Sequence, residues 1–261
     1  MRKFMVSCMG IFLMTWGLST DVFASDLNHS KRFKIGNILL ANASPQNYED
    51  SVDEEIKIGM LVDKVATPSG EFYDVQFYAE GEPLENVKTI RIKTPESKNI
   101  LLKNPVGLSY LEVEAYNMGI DDLEKRFPEG KYQVSLSPRK YGKATTFDME
   151  YDFPAAPVVT SPTSGATDVS LSPTFEWESM ADDDIDGLLL ILLTEDFSEN
   201  YIELIRYLPK ETTSFSISEG LLEANTEYEL DVVAYKAFGE NAYMTGVRYI
   251  SFTTSSATLP E

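Results

Sequence analysis

The sequence predicts an all-β protein made of two antiparallel β-sandwiches in series. Three observations carry that expectation. From residue 54 onward, apolar residues recur at every second position rather than at helical spacing, as in strands with one buried and one wet face. Turn-forming clusters such as "TPSG", "AEGEP" and "KNPVG" break these runs at short intervals, which is the rhythm of a sandwich. The pattern then stops and restarts across "FPAAPVVTSP" at 153–162, where Pro154, Pro157 and Pro162 remove backbone donors and make a short, stiff joint.

The elements follow in chain order. Arg2 and Lys3 precede an uncharged run from Phe4 to Thr20, and "VFA" ends at the small residue Ala24. This is the form of a secretory signal peptide, residues 1–24, with cleavage after Ala24. The run is diluted by Ser7, Gly10, Thr15 and Gly17, and is short for a span of roughly 20 apolar residues. No later stretch is long and apolar enough to cross a bilayer, so the mature chain is expected to be secreted or periplasmic. Residues 25–53 read as an arm without clear periodicity, in which "KIGNILLA" can pair as a strand.

Residues 54–155 form the first predicted sandwich. "EIKIGMLV" places Ile56, Ile58, Met60 and Val62 on one side, and "FYDVQFYA" does the same with Tyr73, Val75, Phe77 and Ala79. "TIRIK", "YLEVEA" and "YQVSL" alternate likewise, and "FDMEYDF" sets Phe147, Met149, Tyr151 and Phe153 against Asp148, Glu150 and Asp152. One helical turn is predicted in "IDDLEKRF", stopped by Pro128 and Gly130. Residues 156–255 form the second sandwich, followed by a tail at 256–261. There "TFEW" buries Phe175 and Trp177, and "TSFSIS" buries Phe215 and Ile217. "EYELDVVA" buries Tyr228, Leu230, Val232 and Ala234 with Glu227, Glu229 and Asp231 outside, and "VRYISFTT" closes the chain as an edge strand. "GLLLILLT" at 187–194 departs from alternation. Some of its side chains must leave the core and be covered, by the chain itself or by a second protein.

The segment "PVVTSPTSGATDVSLSPTFEWE" resembles the opening strands of fibronectin type III domains in secreted bacterial proteins. "LLEANTEYELDVVAYKAFGENA" resembles the end of their E–F loop, strand F and the start of the F–G loop, and "ISFTT" their last strand. This resemblance covers residues 156–254. In the first half, "YLEVEAYNMGIDDLEKRFPEGKYQVSL" resembles the E–F region of an immunoglobulin-like sandwich, with Gly130 and Tyr132 in place and Val134 where a cysteine would stand. The fold class implied is an immunoglobulin-like sandwich followed by a fibronectin type III-like one. Tyr132 and Tyr228 would each be a tyrosine corner, a buried ring whose hydroxyl returns to the chain at the E–F turn. Trp177 would be a core residue.

Composition narrows the chemistry. The chain has 42 acidic against 22 basic residues, a net charge of −20, which repels nucleic acid and anionic membrane. Its single cysteine is Cys8, inside the predicted leader, so the mature domain has no disulfide and rests on core burial. Its single histidine is His29, in the arm, so a Ser-His-Asp or Cys-His site would have to rest on that one residue, and His-based zinc or copper sites are excluded on ligand count. Glycine-rich phosphate loops are missing. Carboxylate-pair hydrolysis needs only Asp and Glu but also a deep cleft, which small sandwiches rarely supply, and the chain is read as not an enzyme.

Two loop segments are candidate sites. "DDDIDG" sets Asp182, Asp184 and Asp186 at alternate positions before Gly187, the first half of a calcium loop whose twelfth position would be Leu193 instead of Glu. It is a solvated acidic loop or a calcium site completed by another loop, and no other cofactor is expected. "YKAFGENAYMTG" would be the F–G loop, with Phe238 and Tyr243 near its tip as binding aromatics for a protein or a sugar, or as loop filler. The resemblance implies an exported non-catalytic protein that binds or spaces through protein–protein recognition by its loops. A carbohydrate-binding module and a structural component of an envelope assembly are the alternatives, and the oligomeric state is open.

Overall fold

The computed structural model describes residues 55–67, 69–141, 144–181, 183–194 and 203–256. The predicted signal peptide, the arm and its "KIGNILLA" lie outside them. The first half contains β1 (Lys57–Thr67), β2 (Gly70–Glu80), β3 (Thr89–Lys93), β4 (Asn99–Lys103), β5 (Tyr110–Met118), α1 (Ile120–Arg126), β6 (Gly130–Ser137) and β7 (Thr145–Met149). The second contains β8 (Val159–Ser161), β9 (Ala166–Val169), β10 (Thr174–Trp177), β11 (Gly187–Thr194), β12 (Glu203–Leu208), β13 (Ser214–Ser216), β14 (Glu227–Gly239) and β15 (Ala242–Thr254). Short 3₁₀ turns occur at 82–86 and 139–141.

Two small sheets, β4-β3-β6-β7 and β13-β10-β8, pack against one large sheet ordered β12-β11-β14-β15-β1-β2-β5, with β9 also on β15. The all-β class holds, and each half has its own sandwich core. The first core gathers Met60, Val62, Phe77, Leu123, Tyr132 and Phe147, and the second gathers Phe175, Trp177, Leu190, Tyr228, Leu230 and Phe252. The period-two reading of β1, β2, β10 and the inward face of β14 agrees with these clusters residue by residue.

The two sandwiches are not separate beads, because they share the large sheet. β14 and β15 are each 13 residues long, about twice an average strand, and their hairpin end projects beyond the second sandwich. There β1 pairs with β15 in parallel, from Met60 opposite Ala242 to Ala66 opposite Arg248. The expectation of purely antiparallel pairing is corrected at this seam. The closing segment "VRYISFTT" is likewise not an edge, since β15 has β14 on one side and β1 and β9 on the other. On β15, Ala242 and Met244 enter the first core while Ile250 and Phe252 enter the second. All four are even-numbered on one continuous strand, so both small sheets lie on the same face of the large one. Between them the proline joint crosses β15 at Gly246, where a side-chain carbon would lie 2.4 Å from the Pro154 carbonyl oxygen. Arg248 holds the joint by donating from Nε to Pro157 O at 3.1 Å.

Further departures share one cause. Glu229 and Asp231, expected outside, are only 2% and 3% exposed. In "GLLLILLT" the even residues enter the second core, while Leu189, Ile191 and Leu193 join a third cluster on the opposite face. Both faces of β11 are buried, which removes the alternation that a wet face imposes. The strand predicted to run to Phe153 ends at Met149, yet Tyr151 and Phe153 still pack on the first core with stacked rings 5.8 Å apart.

Both predicted corner tyrosines are fully buried and bonded to the backbone just upstream. Tyr132 donates its hydroxyl to Pro128 O at 2.8 Å, and the Tyr228 hydroxyl accepts the Glu223 N–H at 2.9 Å. Trp177 is buried and donates Nε1–H to Thr212 O at 2.7 Å.

Candidate functional site

The end of the second sandwich where recognition loops were expected is taken up by the seam. The F–G connection is a tight turn rather than a loop, and Asn241 adopts a positive φ of 56° in it. Its carbonyl accepts the Tyr78 hydroxyl at 2.9 Å and the Met60 N–H at 3.1 Å, both from the first sandwich. Gly59 makes room for that tyrosine, since any side-chain carbon there would overlap the ring at 1.9 Å. Tyr243 is 8% exposed and lies in the third cluster, edge-on to Tyr235 at 6.2 Å. Phe238 packs against the first core. The placement of Phe238 and Tyr243 at a loop tip is therefore corrected: strands run through both positions, and Phe238 packs on the first core while Tyr243 packs in the third cluster on the opposite face of the large sheet.

The acidic segment lies at the same seam. Asp184 accepts from Lys236 Nζ at 2.7 Å, Lys236 also pairs with Asp152 of the joint, and Asp186 accepts the Ala237 N–H at 2.7 Å. Asp182 lies outside the described residues. The hydrogen bond from Lys236 holds the Asp184 carboxyl below the usual carboxylate range, and hydrogen bonds to Asp152 and then Asp184 push the ammonium up. Carboxylates at 184 and 186 are thus engaged by a protein cation and a protein amide, which tie the acidic segment to β14 and the joint. Among the described residues, no group of three or more His, Cys, Asp or Glu side chains is arranged to hold a metal.

A different site emerges at the far end of the first sandwich, in the connection from β4 to β5. Asn104 is completely buried; its Oδ1 accepts the Leu108 N–H at 2.7 Å, and its Nδ2 donates to Leu84 O at 3.0 Å and Leu108 O at 2.9 Å. These bonds fasten the connection to the 3₁₀ turn at 82–86. Gly107 has φ +71°, and a side-chain carbon there would lie 2.8 Å from Glu85 O, so this approach requires glycine. The clamped loop displays Val106 at 77% and Leu108 at 50% exposure. Beside it is a shallow depression of about 370 Å³ lined by Lys57, Glu80, Glu82, Ser109 and Tyr110, among others. "KNPVG" is legible as a turn, but nothing in the sequence signals that Asn104 is its buried clamp or that the apolar residues face out.

A carboxyl group with unusual properties lies on the large sheet near β5. Burial, then the neighbouring Glu112, Asp74 and Asp63 carboxylates, push Glu114 up to about 8. Glu112 accepts from Gln76 Nε2 at 2.9 Å and from the Tyr110 hydroxyl at 2.6 Å. Glu114 is therefore a carboxyl that keeps its proton well above the usual carboxylate range, because burial and the like charges around it disfavour ionisation.

No protein-family model matches the chain, and no curated protein matches it. Among solved structures, it is similar to a computationally redesigned β-sandwich protein, at 23% identity and TM-score 0.29, over 40% of this chain and 91% of that one. It is also similar to the FN1–FN3 domains of chicken CNTN1, at 13% identity and TM-score 0.30, over 76% of this chain and 63% of that one.

Proposed function

We propose that the chain is an exported, non-catalytic recognition protein, a stiff body of two welded sandwiches that meets a protein partner through the β4–β5 loop. One observation carries this reading: Val106 and Leu108 are held out to solvent by a loop whose shape is fixed by a buried asparagine. A loop already in its binding shape loses little freedom on association, and exposed aliphatic side chains on such a loop gain by being covered. Elsewhere Phe238, Tyr243, Asp184 and Asp186 are engaged in packing and hydrogen bonds within the fold.

The paired variant Val106→Ser with Leu108→Ser tests the reading. Both side chains are solvent-facing, so the melting temperature should stay close to that of the parent. Proteins recovered from the native envelope on the immobilised parent chain should be lost on the variant. Equal recovery on parent and variant would remove the loop from the proposal.

A further inference from the structure

The face of the large sheet that points away from both small sheets is apolar and buried. Leu61 and Val65 of β1, Leu189 and Ile191 of β11, Val233 of β14 and Val247 of β15 belong to its cluster, each 3% exposed or less. The ladders set Leu189, Val233, Val247 and Val65 in one row across four adjacent strands. Lateral neighbours in a sheet leave the outward ends of such side chains open, so exposures this low require a layer on top. No strand or helix among the described residues lies over this face, because both small sheets pack on the other.

We propose that residues 32–41 of the same chain, "RFKIGNILLA", are that layer. The stretch brings Phe33, Ile35, Ile38, Leu39 and Leu40, an apolar set suited to an aliphatic face. It also brings Arg32 and Lys34 and no acid, in a chain whose net charge is −20. The face it would cover buries the carboxylates of Asp63, Glu229 and Asp231, and a cover for buried carboxylates is favoured when it carries cations. Reach is sufficient. Crossing from β1 to β11 is three strand spacings, about 14 Å. The roughly 20 residues between Ile35 and Glu55 can extend to about 65 Å.

The test uses the full chain with Phe33 replaced by a benzophenone-bearing analogue, prepared as a mixture of isotopically heavy and light copies and irradiated. Cross-links within one copy to peptides spanning 61–65, 189–193 or 231–247 are expected. Cross-links joining heavy to light copies would assign the cover to a second molecule, and cross-links confined to other surfaces would remove the stretch from this face; either overturns the proposal. A second variant, Ile35→Asp with Leu39→Asp, should raise binding of an apolar dye several-fold and lower the melting temperature. Unchanged dye binding and melting would equally overturn it.

Discussion

The two faces of the large sheet make an instructive pair. The face under the two small sheets is apolar at nearly every position, with Met60, Val62, Leu190, Leu230, Val232 and Phe252 in sequence-regular alternation. The opposite face is just as buried, but it interleaves Leu61, Val65, Leu189 and Val247 with Asp63, Gln76, Glu229 and Asp231. Burial is therefore not what separates the faces. They differ in how polar groups are accommodated, as on the mixed face Thr245 donates its hydroxyl to Asp63 and Gln76 donates to Glu112. Apolar periodicity identifies a core only where the opposite side is wet.

The largest effect that could break this equivalence comes from truncating neighbours on β11. Leu190→Ala on the regular face and Leu189→Ala on the mixed face should each destabilise by about 2–5 kcal/mol, as buried leucines do. Urea unfolding would check it. A cost at residue 189 below about 0.5 kcal/mol, the range of surface substitutions, would mean that the mixed face is solvated after all.

Gly246→Ala comes next and probes the boundary between the two cores on the regular face. The added carbon meets the backbone of Pro154 and Ala155, so overpacking of about 1–3 kcal/mol is expected. The joint should also become more sensitive to protease. Unaltered digestion together with unaltered stability would show that the joint does not press on β15.

Smaller effects compare the two corners. Tyr132→Phe and Tyr228→Phe each remove one hydroxyl hydrogen bond, worth about 0.5–1.5 kcal/mol. The first leaves a carbonyl without its donor and the second leaves an N–H without its acceptor. Because a single large sheet serves both sandwiches, each variant should still unfold in one transition, and two separated transitions by calorimetry would contradict the shared-sheet architecture.

A pH effect sharpens the polar side of the comparison. Glu114 sits on the mixed face opposite Gln76, with a folded value of about 8 against an ordinary 4.5. The folded chain therefore holds a proton that the unfolded chain releases in that interval. Its contribution to stability is complete below the ordinary value and is lost as pH rises through about 8. Melting temperature should decline over this window, and Glu114→Gln should flatten the decline. An identical slope in parent and variant would assign it to other groups.

Much of the fold was legible because local pattern and tertiary environment agree in β1, β2, β3, β6 and β10. "IDDLEKRF" forms its helix, with Leu123 buried in the first core. What was hidden depended on contacts between distant segments. Nothing near Glu229 or Asp231 announces that their side of the strand is covered. Nothing near Phe238 or Tyr243 announces that the F–G hairpin continues as sheet into another sandwich. The loop clamped by Asn104 was hidden for a related reason, since a buried asparagine and an exposed valine both contradict residue-type averages.

The parallel seam also has a consequence in time. Met60 and Ala242 are partners separated by most of the polypeptide, a contact of very high sequence separation whose closure entropy is met before its reward. A chain delivered from its amino end has β1 long before β15 exists. The seam can close only after β15 has emerged, so the shared sheet is completed long after the other strands of the first sandwich have been made.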